Sequence, residues 1–105
     1  MKPAFDVVYR DLDSSAALNK IISKKLEKLG RFSDQIIRSR VILDTPHQHK
    51  SKGKEFRASI ELDIKGQPLS ISRNDQSIHV AVRDAFLNAE RKIKSLMSKQ
   101  RTNRH

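Results

Sequence analysis

Residues 46–54 read PHQHKSKGK, with two histidines and three lysines in nine positions. His47 and His49 stand two apart, and in extended backbone that spacing puts both rings on one side. Such a pair offers two of the three or four ligands that a zinc ion takes from a protein. The remaining histidines are His79, in a helix-spaced stretch, and the terminal His105, and the chain has no cysteine. The ligand set is too short, and no metal is assigned. A mostly neutral imidazole can also hydrogen-bond or stack on a base or sugar, and nearby phosphate favours its charged form. Lys50, Lys52 and Lys54 put three cations in the same loop. A basic loop tip that touches a polyanion or a protein partner is favoured over a solvated polar turn, and Gly53 helps the chain reverse.

The same bias runs through the whole chain. Lys and Arg number 22 against 12 Asp and Glu, a formal charge of +10 over 105 residues. An excess of this size speaks to partners rather than fold, and clustered as it is here it points to nucleic acid. Enzyme chemistry finds no foothold. There is no Gly-rich phosphate loop, no cysteine nucleophile and no serine in a nucleophile elbow. The stretch RNDQS at 73–77 reads as a helix cap. No cofactor and no small-molecule substrate are implied. The lack of cysteine fits a reducing compartment. No run of 18 apolar residues exists, so no membrane span is expected, and a cytoplasmic monomer is the simplest reading.

The length suits a single domain, set at residues 1–98 with a flexible basic tail at 99–105. AFDVVYR, residues 4–10, reads as a first strand with Phe5, Val7 and Tyr9 on one side. Asp13, Ser14 and Ser15 are cap candidates for a helix whose apolar positions are Leu18, Ile21, Ile22, Leu26 and Leu29. Gly30 is placed to end that helix in a left-handed conformation. IIRSRVILD, residues 36–44, is a β-branched second strand. KEFRASIELDI, residues 54–64, alternates cleanly, with Phe56, Ala58, Ile60, Leu62 and Ile64 on one face. KGQP reads as a turn and LSISR, residues 69–73, as a short fourth strand. Asn74 and Asp75 can cap a long helix, about Gln76 to Ser98. Its buried stripe is Ile78, Ala81, Val82, Ala85, Phe86, Ala89, Ile93, Leu96 and Met97. The order β-α-β-β-β-α predicts an α+β two-layer sandwich: two helices packed on one face of a four-stranded, mainly antiparallel sheet. Strands one and two, joined by a helix, pair in parallel.

On the first helix, at about 100° per residue from Leu18, Lys20, Lys24, Lys28 and Arg31 fall between about 200° and 280°. They make a ridge along one flank. Lys25, near 340°, sits inside the apolar arc and must snorkel outward. On the second helix Arg83, Arg91, Lys94 and Arg101 point away from the stripe, and from Arg91 onward there are six Lys or Arg and no acid. Two neighbouring ridges suit a phosphate backbone, whose neutralisation releases counterions. Aromatic residues are four Phe and one Tyr. Phe5, Phe56 and Phe86 fit core positions and Phe32 packs where the first helix ends. With no stacking platform, structured RNA held through its backbone and shape fits better than unpaired bases.

KLEKLGRF, residues 25–32, followed by DQIIRSRVIL, residues 34–43, resembles the ribosome hibernation-promoting factors, also called protein Y or ribosome-associated inhibitor. VAVRDAFLNAERKIK, residues 80–94, is similar to their second helix. The resemblance covers nearly the whole chain and implies the same element order. It further implies a non-enzymatic factor that binds ribosomal RNA of the small ribosomal subunit. There the family's two basic helices block the messenger and transfer RNA sites under stress or slow growth. The matching positions are Lys25, Lys28 and Arg31 on the first helix and Arg83, Arg91 and Lys94 on the second. Lys20, Lys24 and the loop residues His47, His49, Lys50, Lys52 and Lys54 extend the RNA-binding set. The chain ends soon after the second helix, so pairing of ribosomes through the extra C-terminal domain of the long forms is not expected. The alternative is a regulatory protein-binding module that modulates a sigma factor without binding ribosomes.

Overall fold

The computed structural model describes residues 4–46 and 55–102. Their elements run β1 (Ala4–Tyr9), α1 (Ala16–Phe32), β2 (Ile36–Asp44), β3 (Phe56–Ile64), β4 (Gln67–Asp75) and α2 (Ile78–Thr102). One sheet holds all four strands in the order β1-β2-β3-β4. β1 pairs β2 in parallel, and the other two pairings are antiparallel. This is the expected two-layer α+β arrangement, and the reason lies in β3. Ala58, Ile60, Leu62 and Ile64 are buried on one face, as period-two alternation requires. Register brings Val41 of β2 and Ile71 of β4 to either side of Ile60. Leu18, Ile22 and Leu29 of α1 close over this row from one side, and Val82, Phe86 and Ile93 of α2 from the other. Ala81, Ala85 and Ala89 step by four along one face of α2 and are fully buried, so the helix backbone lies close to the sheet.

Local chemistry sets the element ends. Ser15 caps α1, its Oγ accepting from Leu18 N at 3.1 Å. The Tyr9 hydroxyl donates to Asn19 Oδ1 at 2.8 Å and ties β1 to the first turns of α1. At α2 the cap is Ser77, which accepts from Val80 N at 3.3 Å, while Asp75 Oδ2 holds Ser77 N at 2.8 Å. Asp75 therefore acts two residues before the cap, and both Asn74 and Asp75 lie within β4.

Four expectations need correction. Gly30 does not end α1 in a left-handed conformation. The helix continues to Phe32 and passes to extended backbone at Ser33, φ −159°. Packing decides this, since Phe32 is half-buried against the core, and burial of one aromatic ring outweighs the modest helix cost of glycine. The turn before β4 is tighter than KGQP. Lys65 and Gly66 take φ of 51° and 83°, the signs of a two-residue hairpin turn, and Asp63 Oδ1 accepts from Gly66 N at 2.8 Å. Gln67 and Pro68 thus belong to β4, an edge strand where proline is tolerated. Phe5 shares the face of Val7 and Tyr9 but is 46% exposed, not core, because it starts the edge strand. α2 runs on to Thr102 rather than ending near Ser98.

Candidate nucleic-acid interface

The two helices meet through Lys28 and Lys94, which the sequence places on the basic ridges, each set against a side chain of the other helix. Lys28 Nζ of α1 lies 3.2 Å from Glu90 Oε2 of α2. Four residues on along each helix, Lys94 Nζ stands 4.7 Å from the centroid of the Phe32 ring, a cation–π distance. Equal steps on both helices mean that α1 and α2 run parallel and in register. Between them lies a groove of about 60 Å³, lined by Lys25, Lys28, Leu29, Arg83, Phe86, Leu87 and Glu90.

Lys25, Lys28 and Arg83 are thus brought to one place from both helices. Lys25 is half-buried in the groove wall, which accounts for a lysine inside the apolar arc: its stem covers apolar surface. Lys20, Lys24 and Arg31 are exposed along α1, and Arg91 and Lys94 along α2. Arg83 also meets Asp84 at 3.3 Å, with both side chains largely in water, so that pair holds the guanidinium only weakly. His47, His49, Lys50, Lys52 and Lys54 lie outside the described residues, as does the loop that carries them.

Glu90 and Leu87 are groove residues that the sequence reading did not name. Glu90 had a signal, since it follows Arg83 at helical spacing (seven residues on) and precedes Lys94 by four. Leu87 stood out only as an apolar residue off the buried stripe of α2.

The opposite face of the sheet is of another kind. Arg57 of β3 donates to both carboxylate oxygens of Asp44 of β2, at 3.0 and 2.7 Å. Those hydrogen bonds, and the Asp44 charge, push the Arg57 guanidinium above its ordinary pKa against a smaller opposing effect of burial. Arg40 faces Asp6 at 3.9 Å, and Ser59 meets Ser72 at 3.3 Å. Cations there sit opposite acids across strands; on the helix layer Lys28 and Arg83 also meet acids, Glu90 and Asp84, while Lys20, Lys24, Arg31 and Arg91 are exposed along the two helices. Among the described residues no three His, Cys, Asp or Glu are grouped to hold a metal, and no helix is long and apolar enough to cross a membrane.

Residues 5–101 match the family described as Sigma 54 modulation protein / S30EA ribosomal protein. Among curated proteins no sequence matches. Among solved structures, the N-terminal domain of Protein Y from Thermus thermophilus is similar, with a TM-score of 0.74 and 22% identity over 90% of this chain and 99% of that one. A ribosomal subunit interface protein from Coxiella burnetii is similar at a TM-score of 0.74 and 14% identity, over 90% of this chain and 98% of that one. At those identities the likeness supports the fold, and the family rests on the sequence match.

Proposed function

We propose, from the premise that the chain belongs to the Sigma 54 modulation protein / S30EA ribosomal protein family, that it is a ribosome-associated factor that lays α1 and α2 on ribosomal RNA of the small subunit. The observation that carries this reading is the parallel, in-register helix pair, which sets Lys25, Lys28 and Arg83 around one groove. Cations carried on two packed helices fit a folded RNA backbone, because the helices fix the spacing of their attachment points and each neutralised phosphate releases counterions. Bound there, the domain fills the messenger and transfer RNA sites and keeps the ribosome idle. The structural neighbours carry names of the same kind, Protein Y and ribosomal subunit interface protein.

Site blocking is tested by competition. Labelled transfer RNA bound to messenger-programmed small subunits should be displaced as the protein is titrated in. Simultaneous binding of both would contradict the reading. A protein that leaves ribosomes alone and instead captures a sigma factor would favour the alternative, for which the family's description supplies the precedent.

A further inference from the structure

Four large apolar side chains are exposed among the described residues: Phe5, Ile21, Ile37 and Leu87. Single exposed apolar residues are ordinary. Leu87 differs by its place. It is 46% exposed, yet it lines the inter-helix groove with Lys25, Lys28 and Arg83. The helix register sets it level with Lys25, one turn before the Lys28–Glu90 bridge. Ile21, 37% exposed, lies one turn before Lys25. An apolar tip thus stands among three cations, Lys25, Lys28 and Arg83, and one acid, Glu90.

Resting on the proposed ribosomal RNA site, we propose that Leu87 is an apolar wedge seated against the face of an unstacked nucleotide. Charge complementarity picks the occupant: the cations that flank Leu87 select a polyanion, and nucleic acid combines phosphates with flat apolar faces. Leucine is among the side chains that proteins insert between base steps, and the unstacking cost is least where the base is already unpaired. The groove thereby prefers RNA with a bulged or looped nucleotide over regular duplex. This departs from the expectation that the surface holds only backbone and shape. It assigns the neighbouring lysines and arginine to phosphates and Leu87 to the base.

The test separates charge from apolar contact through salt. Binding of a labelled RNA hairpin with an unpaired loop, of a blunt duplex of the same length, and of purified ribosomes is measured over a salt series. For the hairpin, Leu87→Ala should weaken binding roughly three- to tenfold at every salt concentration, leaving the slope of log K against log salt unchanged, while the duplex affinity stays as in wild type. Arg83→Ala should instead reduce the slope by about 0.7 to 0.9, the value of one phosphate contact. Leu87→Met should restore most of the affinity, and melting curves should show both Leu87 variants folded, since the side chain is exposed. An unchanged hairpin affinity, an equal loss on duplex, or a loss on ribosomes alone overturns the inference, the last by placing a ribosomal protein on Leu87. If the wild-type protein binds no ribosomes in the same series, it is the proposed function that fails.

Discussion

Glu90 is an acid on the proposed phosphate path, where it meets Lys28 from the other helix. Its carboxylate is 3.2 Å from Lys28, and its side chain is 18% exposed. An incoming phosphate must share that lysine with a like charge. Glu90→Gln should therefore tighten small-subunit binding about two- to fivefold, worth about 0.4 to 1 kcal/mol, as for a partly exposed pair. Filter binding at low salt reads the change directly. The Asp44–Arg57 pair supplies the contrast. Asp44→Ala removes two hydrogen bonds to Arg57 and should cost about 1 kcal/mol in chemical denaturation. Because the pair lies on the other face of the sheet, ribosome affinity should stay as in wild type, and a large loss would place RNA on the sheet instead. The basic positions of both helices were legible from spacing alone. Glu90 and Leu87 were not, because a side chain's neighbour on another helix depends on helix register, which no local pattern carries.

At the scale of elements, two glycines have opposite roles. A Cβ built on Gly30 would meet nothing within 4 Å, and the residue is helical. Gly30→Ala should thus stabilise the protein by about 0.5 to 1 kcal/mol, through helix propensity and a less free unfolded chain. Gly66 has equal space but a φ of +83°, where an L side chain is strained, so Gly66→Ala should destabilise by about 1 kcal/mol. Thermal melts of the two variants should move in opposite directions. A loss at Gly30 would mean that the helix ends there after all. The alternation from Phe56 to Ile64 and the stripe from Ile78 to Met97 were readable because one long pattern is hard to mistake for another. Gly30 misled because glycine is common at helix ends and in this chain the decision falls to Phe32, packed beyond it. Phe5 misled because alternation tells the face of a strand but not whether a helix covers that end of it.

For the whole molecule, the division of labour between faces is the main result. The sheet's open face sets cations opposite acids across its strands, while the helix layer concentrates lysines and arginines around a groove that closes on the core below. Lys20, Lys24, Arg31 and Arg91 lie exposed on the same helix layer. Under the proposed function, this face holds the protein on the small ribosomal subunit by charge. The most direct measurement is sedimentation of the wild-type protein and of Lys28→Glu/Arg91→Glu with purified small subunits through gradients of rising salt. Wild type should travel with the subunits at low salt and be released steeply as salt increases. The double variant, folded by its melting curve, should remain at the top throughout. A wild-type protein that stays at the top at low salt, or a charge-reversed variant that sediments as wild type does, would contradict the account.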